Sequence, residues 1–377
     1  MAEDFTAEQI ARGRALRRAQ VPWLLGGRAV ALALTLVLGL TPAGAGLVTW
    51  AGGLFGGSRT AEVLAGAAAL VLLGQAVGLP FGARVRVIRR GYGLVTQGWA
   101  GWAVDALRGL ALTLVLVLPL AWGLYALTAH APQRWWVPAA GAAAVLTVAL
   151  SFLHPLLIEP VFNRFSPMPE GELRSALLGL AERDAIRVRS VLVADASRRT
   201  TALNAYVSGF GATRRIVAYD TLLTTAEPRE VELVVAHELG HVKHRDVALG
   251  TVLGALGAAV AVCVLGLLTA WPPLLSAAGA TDAADPRSLP LLAACAALIG
   301  AVSGPAQCAV SRRIEARADR HALELTGDPE QFIAMQRRLA VANVADVDPP
   351  RILELLFATH PSSVRRIAAA RAWRPQT

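Results

Sequence analysis

Apolar residues run almost uninterrupted at 29–50, 61–80, 107–127, 137–158, 248–271 and 289–310. Each run suits a helix crossing a hydrocarbon core, which takes about 20 residues. Between the fourth and fifth runs the pattern changes. Residues 159–246 are far more polar and carry short alternating, β-like runs at 190–194, 203–208 and 215–219. Beyond the sixth run, residues 311–373 read as a charged helical tail. The pattern predicts an α-helical polytopic membrane protein, mostly α with a small β-sheet. A four-span membrane domain would occupy 1–158. A second domain, 159–377, would include a two-span hairpin at about 248–310. The first run begins too late and is too long for a cleaved signal peptide, and further spans follow it.

Composition agrees. The 377 residues are 55% hydrophobic and 17% charged, against about 25% charged in soluble domains. The net charge of +9 is distributed along the chain rather than gathered in a patch. Arg12, Arg14, Arg17, Arg18 and Arg28 precede or open the first run, and Arg84, Arg86, Arg89, Arg90 and Arg108 lie around the second-to-third connection. The alternate connections carry only Arg59, Arg134 and Arg287. By the positive-inside rule the N-terminus, the 82–106 loop, the 159–245 region and the tail face the cytoplasm. The Ala/Arg/Gly-rich composition suggests a bacterial plasma membrane. No basic stripe interleaved with aromatics appears, so no nucleic acid partner is expected. Cys263, Cys295 and Cys308 fall inside the apolar runs without metal-ligand spacing and read as packing residues.

The chemistry centres on His237-Glu238-Leu239-Gly240-His241. On a helix, positions four apart share a face, so both imidazoles can bind one Zn²⁺ while Glu238 addresses the water it activates. The helix is expected to start near Thr225, with Pro228 in its first turn and Glu227 and Glu230 nearby, and to run unbroken into the fifth span. A hydrolytic zinc site needs a third protein ligand. Glu315 and Asp319 follow the sixth span one turn apart. Glu315 would complete a His-His-Glu set, and Asp319 would hold a ligating imidazole by its other nitrogen. The alternative is a solvated helix with ordinary ion pairs. His244 reads as a helix-surface residue, His321 as structural and His154 as interfacial. Asp105 reads as a cap of the third span.

These motifs resemble the membrane-bound gluzincin family that contains the type 1 CAAX prenyl protease and the bacterial quality-control protease HtpX. The resemblance rests on Pro160-Val161-Phe162-Asn163-Arg164-Phe165, Asn204-Ala205-Tyr206-Val207-Ser208-Gly209 and Arg215-Ile216-Val217-Ala218-Tyr219-Asp220-Thr221-Leu222. It extends through Ser311-Arg312 with Glu315 and Asp319, and through His360-Pro361-Ser362 with Arg366. Tyr92-Gly93-Leu94 and Trp102-Ala103-Val104-Asp105 are similar to the CAAX-protease membrane domain, although six spans are counted here and that enzyme has seven.

The resemblance implies a gluzincin-type zinc metalloprotease with one Zn²⁺ per chain, held by His237, His241 and Glu315, and Glu238 as general base. It places Asn204 on a strand that pairs with an extended peptide, or in a turn. His360 and Arg366 would serve the oxyanion or a substrate carboxylate; Arg365 competes with Arg366 for that role, and His360 has a capping role as its alternative. The expected partners are the lipid bilayer and a peptide or protein substrate, including membrane-associated or lipidated ones. A CAAX-type processing enzyme and an HtpX-like quality-control protease both fit. The four spans before the motif favour the former. A catalytically silent scaffold is opposed by the intact zinc and base positions, and a transporter by spans nearly free of ionisable residues.

Overall fold

The computed structural model describes residues 4–375. The N-terminal half is built from α1 (Ala7–Leu40), α2 (Pro42–Gly53), α3 (Arg59–Gly91), α4 (Trp99–His130) and α5 (Trp136–Leu153). Thr6 and Gln9 form a capping box that starts α1. Six helical segments among the described residues are long and apolar enough to cross a membrane, matching the number of apolar runs. The first lies elsewhere than expected. A span over 29–50 would pass through Pro42, but Thr41 is extended (φ −134°, ψ 161°) and ends α1. The ring of Pro42 disfavours helical backbone at the preceding residue. The first crossing therefore belongs to α1, which also carries Arg12–Arg28, and α2 is a separate short helix.

Pro155 lacks an N–H, and the chain passes through one wide turn (His154–Ile158) into α6 (Glu159–Phe162). Then follow β1 (Phe165–Pro167), α7 (Glu172–Arg183), β2 (Ser190–Ala194), β3 (Ala205–Ser208), β4 (Arg215–Tyr219) and α8 (Asp220–Thr225). The sheet order is β1-β2-β4-β3, with β2 and β4 parallel and the other pairs antiparallel. Two of the three expected strands have the expected bounds. The third starts at Ala205 rather than at 203, and β1 was not anticipated.

The helix of the His237–His241 motif, α9 (Pro228–Lys243), starts later than Thr225. Glu227 is its cap and forms a capping box with Glu230, while residues up to Thr225 belong to α8. Nor does it run into the next helix, α10 (Asp246–Thr269). Arg245 adopts the left-handed conformation (φ 56°) and breaks the chain direction. Buried contacts of Asp246, described below, favour that break; no Gly or Pro marks it in the sequence. After α11 (Pro272–Ala277) comes α12 (Leu289–Thr326), one helix carrying both the sixth apolar run and the acidic motif. The tail is α13 (Pro329–Ala342), α14 (Arg351–Phe357) and α15 (Ser363–Ala372).

The core of the second half joins Ile216 and Ala218 of the sheet, Leu233, Val235 and Leu239 of α9, Ala322 of α12 and Phe332 of α13, all fully buried or nearly so. The polar domain is fastened to one end of the helical bundle. Arg199 donates to both carboxylate oxygens of Asp105 at 2.8 and 3.0 Å. Asp105 is thus an inter-element anchor rather than a helix cap. Val95 bridges to Thr200, and Arg12 donates to the carbonyl of Tyr92. The start of α1, the α3–α4 loop and the polar domain therefore lie at the same end.

Candidate active site

Apolar Val231, Leu233, Val234, Val235 and Leu239 bury α9 on the core, which fixes the outward face bearing His237 and His241. Their rings stand edge to face, 4.9 Å apart. Across from them, α12 runs unusually close. A Cβ on Gly240 would lie 3.1 Å from His321 Cβ and 3.2 Å from Ala318 Cα. Glycine at this position lets α12 approach α9 closely, and Glu315 and Asp319 face the histidines.

The structure brings the four residues together. His237 Nε2 is 3.2 Å from Glu315 Oε2, and His241 Nε2 is 3.7 Å from Glu315 Oε1. His237 Nδ1 is 2.9 Å from Asp319 Oδ1, although this short contact is poorly aligned for a hydrogen bond. Glu238 belongs to the same cluster, its ligand atom within 4.8 Å of those of His237 and His241. The site fits a metal ion on one observation. Glu315 Oε2 is buried without a hydrogen-bond partner while facing imidazole nitrogens. Orphaned buried carboxylate oxygens are costly unless a cation compensates them. Two imidazoles and a carboxylate form a donor set suited to Zn²⁺.

Asp246 is the residue that sequence reasoning missed. It is buried, and its Oδ2 accepts from His241 Nδ1 at 2.9 Å, while Arg317 pairs with its other oxygen. Each histidine therefore has its own carboxylate behind it, Asp319 for His237 and Asp246 for His241. Spacing gave no signal, because an unbroken helix would have carried Asp246 away from the site. Arg366 Nε donates to Asp319 Oδ2 at 2.8 Å, and its Nη2 reaches Oδ1. Arg365 instead pairs with Glu354 at 3.5 Å, so Arg366 is the arginine at the site.

His360 presents Nε2 3.3 Å from Glu315 Oε2 and keeps more than half its side chain exposed. Asn204 is exposed and immediately precedes β3. Strand β3 is an edge of the sheet and packs beside α9. His321 accepts the structural reading, held by Asp184 at 2.8 Å. His244 caps α9 at the surface, and His154 is largely exposed. None of these three joins the cluster.

Electrostatics sharpen the assignment. Burial alone would lower the His237 imidazolium pKa, but Asp319 and Glu315 outweigh it and raise the value to about 9 in the metal-free protein. Burial pushes the Glu238 carboxyl above the ordinary carboxylate range, with the positive histidines opposing. Partial burial lowers the His360 imidazolium, with Glu315 opposing.

Residues 167–374 match the family model "Peptidase family M48". The chain belongs to that family. Residues 1–164 match "CAAX prenyl protease N-terminal, five membrane helices". In this chain that region holds α1–α5, of which α2 is too short to cross a membrane, and the one-turn helix α6. An uncharacterized metalloprotease of Bacillus subtilis, YhfN, is 31% identical over 74% of this chain and 66% of its own length. A CAAX prenyl protease 1 homolog of Caenorhabditis elegans is 25% identical over 76% of this chain and 71% of its own. The crystal structure of S. mikatae Ste24p shares the fold, with a TM-score of 0.87 at 19% identity, over 97% of this chain and 90% of that one. The chain is thus a multi-pass membrane metalloprotease of the M48 family, similar to CAAX prenyl proteases.

Proposed function

We propose that this M48 protein is a zinc endopeptidase acting on extended peptide segments at the cytoplasmic membrane face. The convergence of His237, His241 and Glu315 from two separate helices beside Glu238 is the observation that carries this reading. His237, His241 and Glu315 would hold the ion. When bound, it supplies a Lewis acid that polarises a carbonyl and makes a water acidic near neutral pH.

The chain's own groups supply the rest. Asp319 and Asp246 hold the Nδ1 sides of the two imidazoles, which leaves both Nε2 lone pairs toward the centre. Arg366 positions Asp319 through two contacts, so its part is positioning rather than direct contact with substrate. Glu238 takes the proton of the attacking water at a carboxylate oxygen and later delivers it to the leaving amine nitrogen. Its raised pKa suits a group that must both accept and return a proton. The Thr359 hydroxyl lies 2.9 Å from His360 Nδ1, and when that hydroxyl donates, the ring carries its proton on Nε2. From there His360 can donate to the oxyanion of the tetrahedral intermediate.

The free edge of β3 offers main-chain hydrogen bonds to an extended substrate, with the Asn204 amide at its start. Main-chain pairing tolerates many side chains. Cytoplasmic placement rests on the arginine distribution, and the polar domain shares an end of the bundle with those arginines. The membrane-domain match and the Ste24p-like fold favour a CAAX-type processing enzyme, with C-terminal, membrane-tethered peptides as substrates, over an HtpX-like protease. The test is cleavage of a membrane-tethered CAAX peptide, with and without a prenyl group, by the wild type and Glu238→Gln. Hydrolysis of the prenylated peptide by the wild type alone supports the reading. Equal hydrolysis by both forms refutes the mechanism, and indifference to the prenyl group refutes the substrate class.

A further inference from the structure

A separate cluster of arginines lies where α1 meets the tail. Arg14, Arg17, Arg18, Arg351 and Arg365 line an open cavity of about 580 Å³, within the roughly 300–1,000 Å³ range of ligand sites. Only Asp348 and Glu354 oppose them along its wall. Arg17 pairs with Asp346, and Arg365 with Glu354. Among the described residues Arg14, Arg18 and Arg351 have no ion-pair partner. Arg14 and Arg18 are also one helical turn apart on α1, a like-charge arrangement that is unfavourable by itself. A cavity built this way is matched by a ligand with concentrated negative charge.

The surroundings say which kind. Helix α14 starts at Arg351 on the cavity wall and ends at Phe357, over whose ring Arg28 of α1 is stacked. Arg18 and Arg28 are ten residues apart, or about 15 Å along a helix. So α14 runs beside α1 from the arginine cavity toward the first apolar run. Along the way it exposes Ile352, Leu355 and Phe357. The site therefore has a cationic end and an apolar end in the direction of the bilayer. A free phosphate uses only the first, and an anionic lipid uses both.

We infer that this cleft binds the phosphate headgroup of an anionic phospholipid, with the acyl chains along the exposed face of α14. Occupancy would tie α14 and α15 to the membrane surface. Each arginine near an anionic headgroup is worth about fivefold in affinity, so removing three unpaired ones should cost about 100-fold.

The test titrates fluorescent phosphatidylglycerol, phosphatidylcholine and inorganic phosphate into the full-length protein in neutral detergent. The wild type should prefer phosphatidylglycerol strongly over phosphatidylcholine. The R14Q/R18Q/R351Q form should lose that preference, and R84Q/R89Q/R90Q, altered elsewhere on the basic end, should keep it. Matched melting temperatures verify that both forms are folded. An unchanged preference in R14Q/R18Q/R351Q, or equal loss in both triple variants, overturns the inference. Inorganic phosphate binding as tightly as the lipid would make the cleft a phosphate site and overturn the lipid assignment. The readout is binding, so the result stands whether or not the protein hydrolyses a peptide.

Discussion

Asp246→Asn isolates the contribution of the left-handed turn at Arg245. Asp246 is 5% exposed at its side chain and accepts from His241 Nδ1 at 2.9 Å. Its other oxygen is engaged by Arg317, so the carboxylate is held on both sides. Asparagine keeps the volume, the start of α10 and one acceptor, but removes the charge that makes the imidazole a stronger donor to a metal. Loss of such a carboxylate behind a ligating histidine costs about 10- to 100-fold in metal affinity or activity, equivalent to about 1.4–2.7 kcal/mol. Competition with a chelator of known affinity measures the metal affinity, and peptide hydrolysis at saturating zinc measures the remaining catalytic loss. A thermal melt of the metal-free form separates both from misfolding. The expected result is weakened zinc binding with a largely preserved metal-free fold. Wild-type zinc affinity in Asp246→Asn would refute the role given to this residue, and with it the reason offered for the break between α9 and α10.

Gly240→Ala should gain helix propensity yet crowd His321 and Ala318, whose atoms lie 3.1 and 3.2 Å from the added Cβ. Displacement of α12 moves Glu315, so kcat should fall by at least about tenfold, as small misplacements at reacting centres do, with a comparatively small change in melting temperature. Zinc uptake should release protons. His237 titrates near 9 in the metal-free protein, so at pH 7 it is protonated and must lose its proton on binding. Apparent affinity should therefore rise by up to about tenfold per pH unit until near that value, as calorimetry in buffers of different ionisation enthalpy would show; a flat profile would contradict it. The same shift stabilises the metal-free fold fully below the unfolded histidine value of about 6.5, and that stabilisation is lost as pH rises through about 9. Asn204→Ala should raise KM for a long peptide while leaving zinc content unchanged, and an unchanged KM would remove Asn204 from the substrate strand.

How much of this was legible in the sequence depended on whether the determinant was local. The apolar runs, the motif helix and β2 and β4 announce themselves through periodicity and length. The acidic motif on α12 was legible because two apolar runs form a hairpin that must return to the same side. Local signals failed where a tertiary contact decided the outcome. The start of α9 is a different case, because its signal is local: Pro228 and Glu230 follow Glu227 in register, and Glu227 rather than Thr225 is the cap. Arg245 gives no hint of a left-handed backbone, and its conformation is explained only by the buried partners of Asp246. Asp105 looked like a cap until Arg199, 94 positions later, reached it. Pro42 did carry its signal, but hydropathy averaging across it obscured the end of α1.

The central claim divides labour between two carboxylates that both lie at the centre, Glu315 as ligand and Glu238 as base. Zinc content per chain in Glu315→Ala and Glu238→Gln, measured on folded protein after removal of loosely bound metal, tests it most directly. The account expects about one zinc in the wild type and in an inactive Glu238→Gln form, and a large loss from Glu315→Ala. Full zinc in Glu315→Ala together with its loss from Glu238→Gln would contradict the assignment and make Glu238 the third ligand.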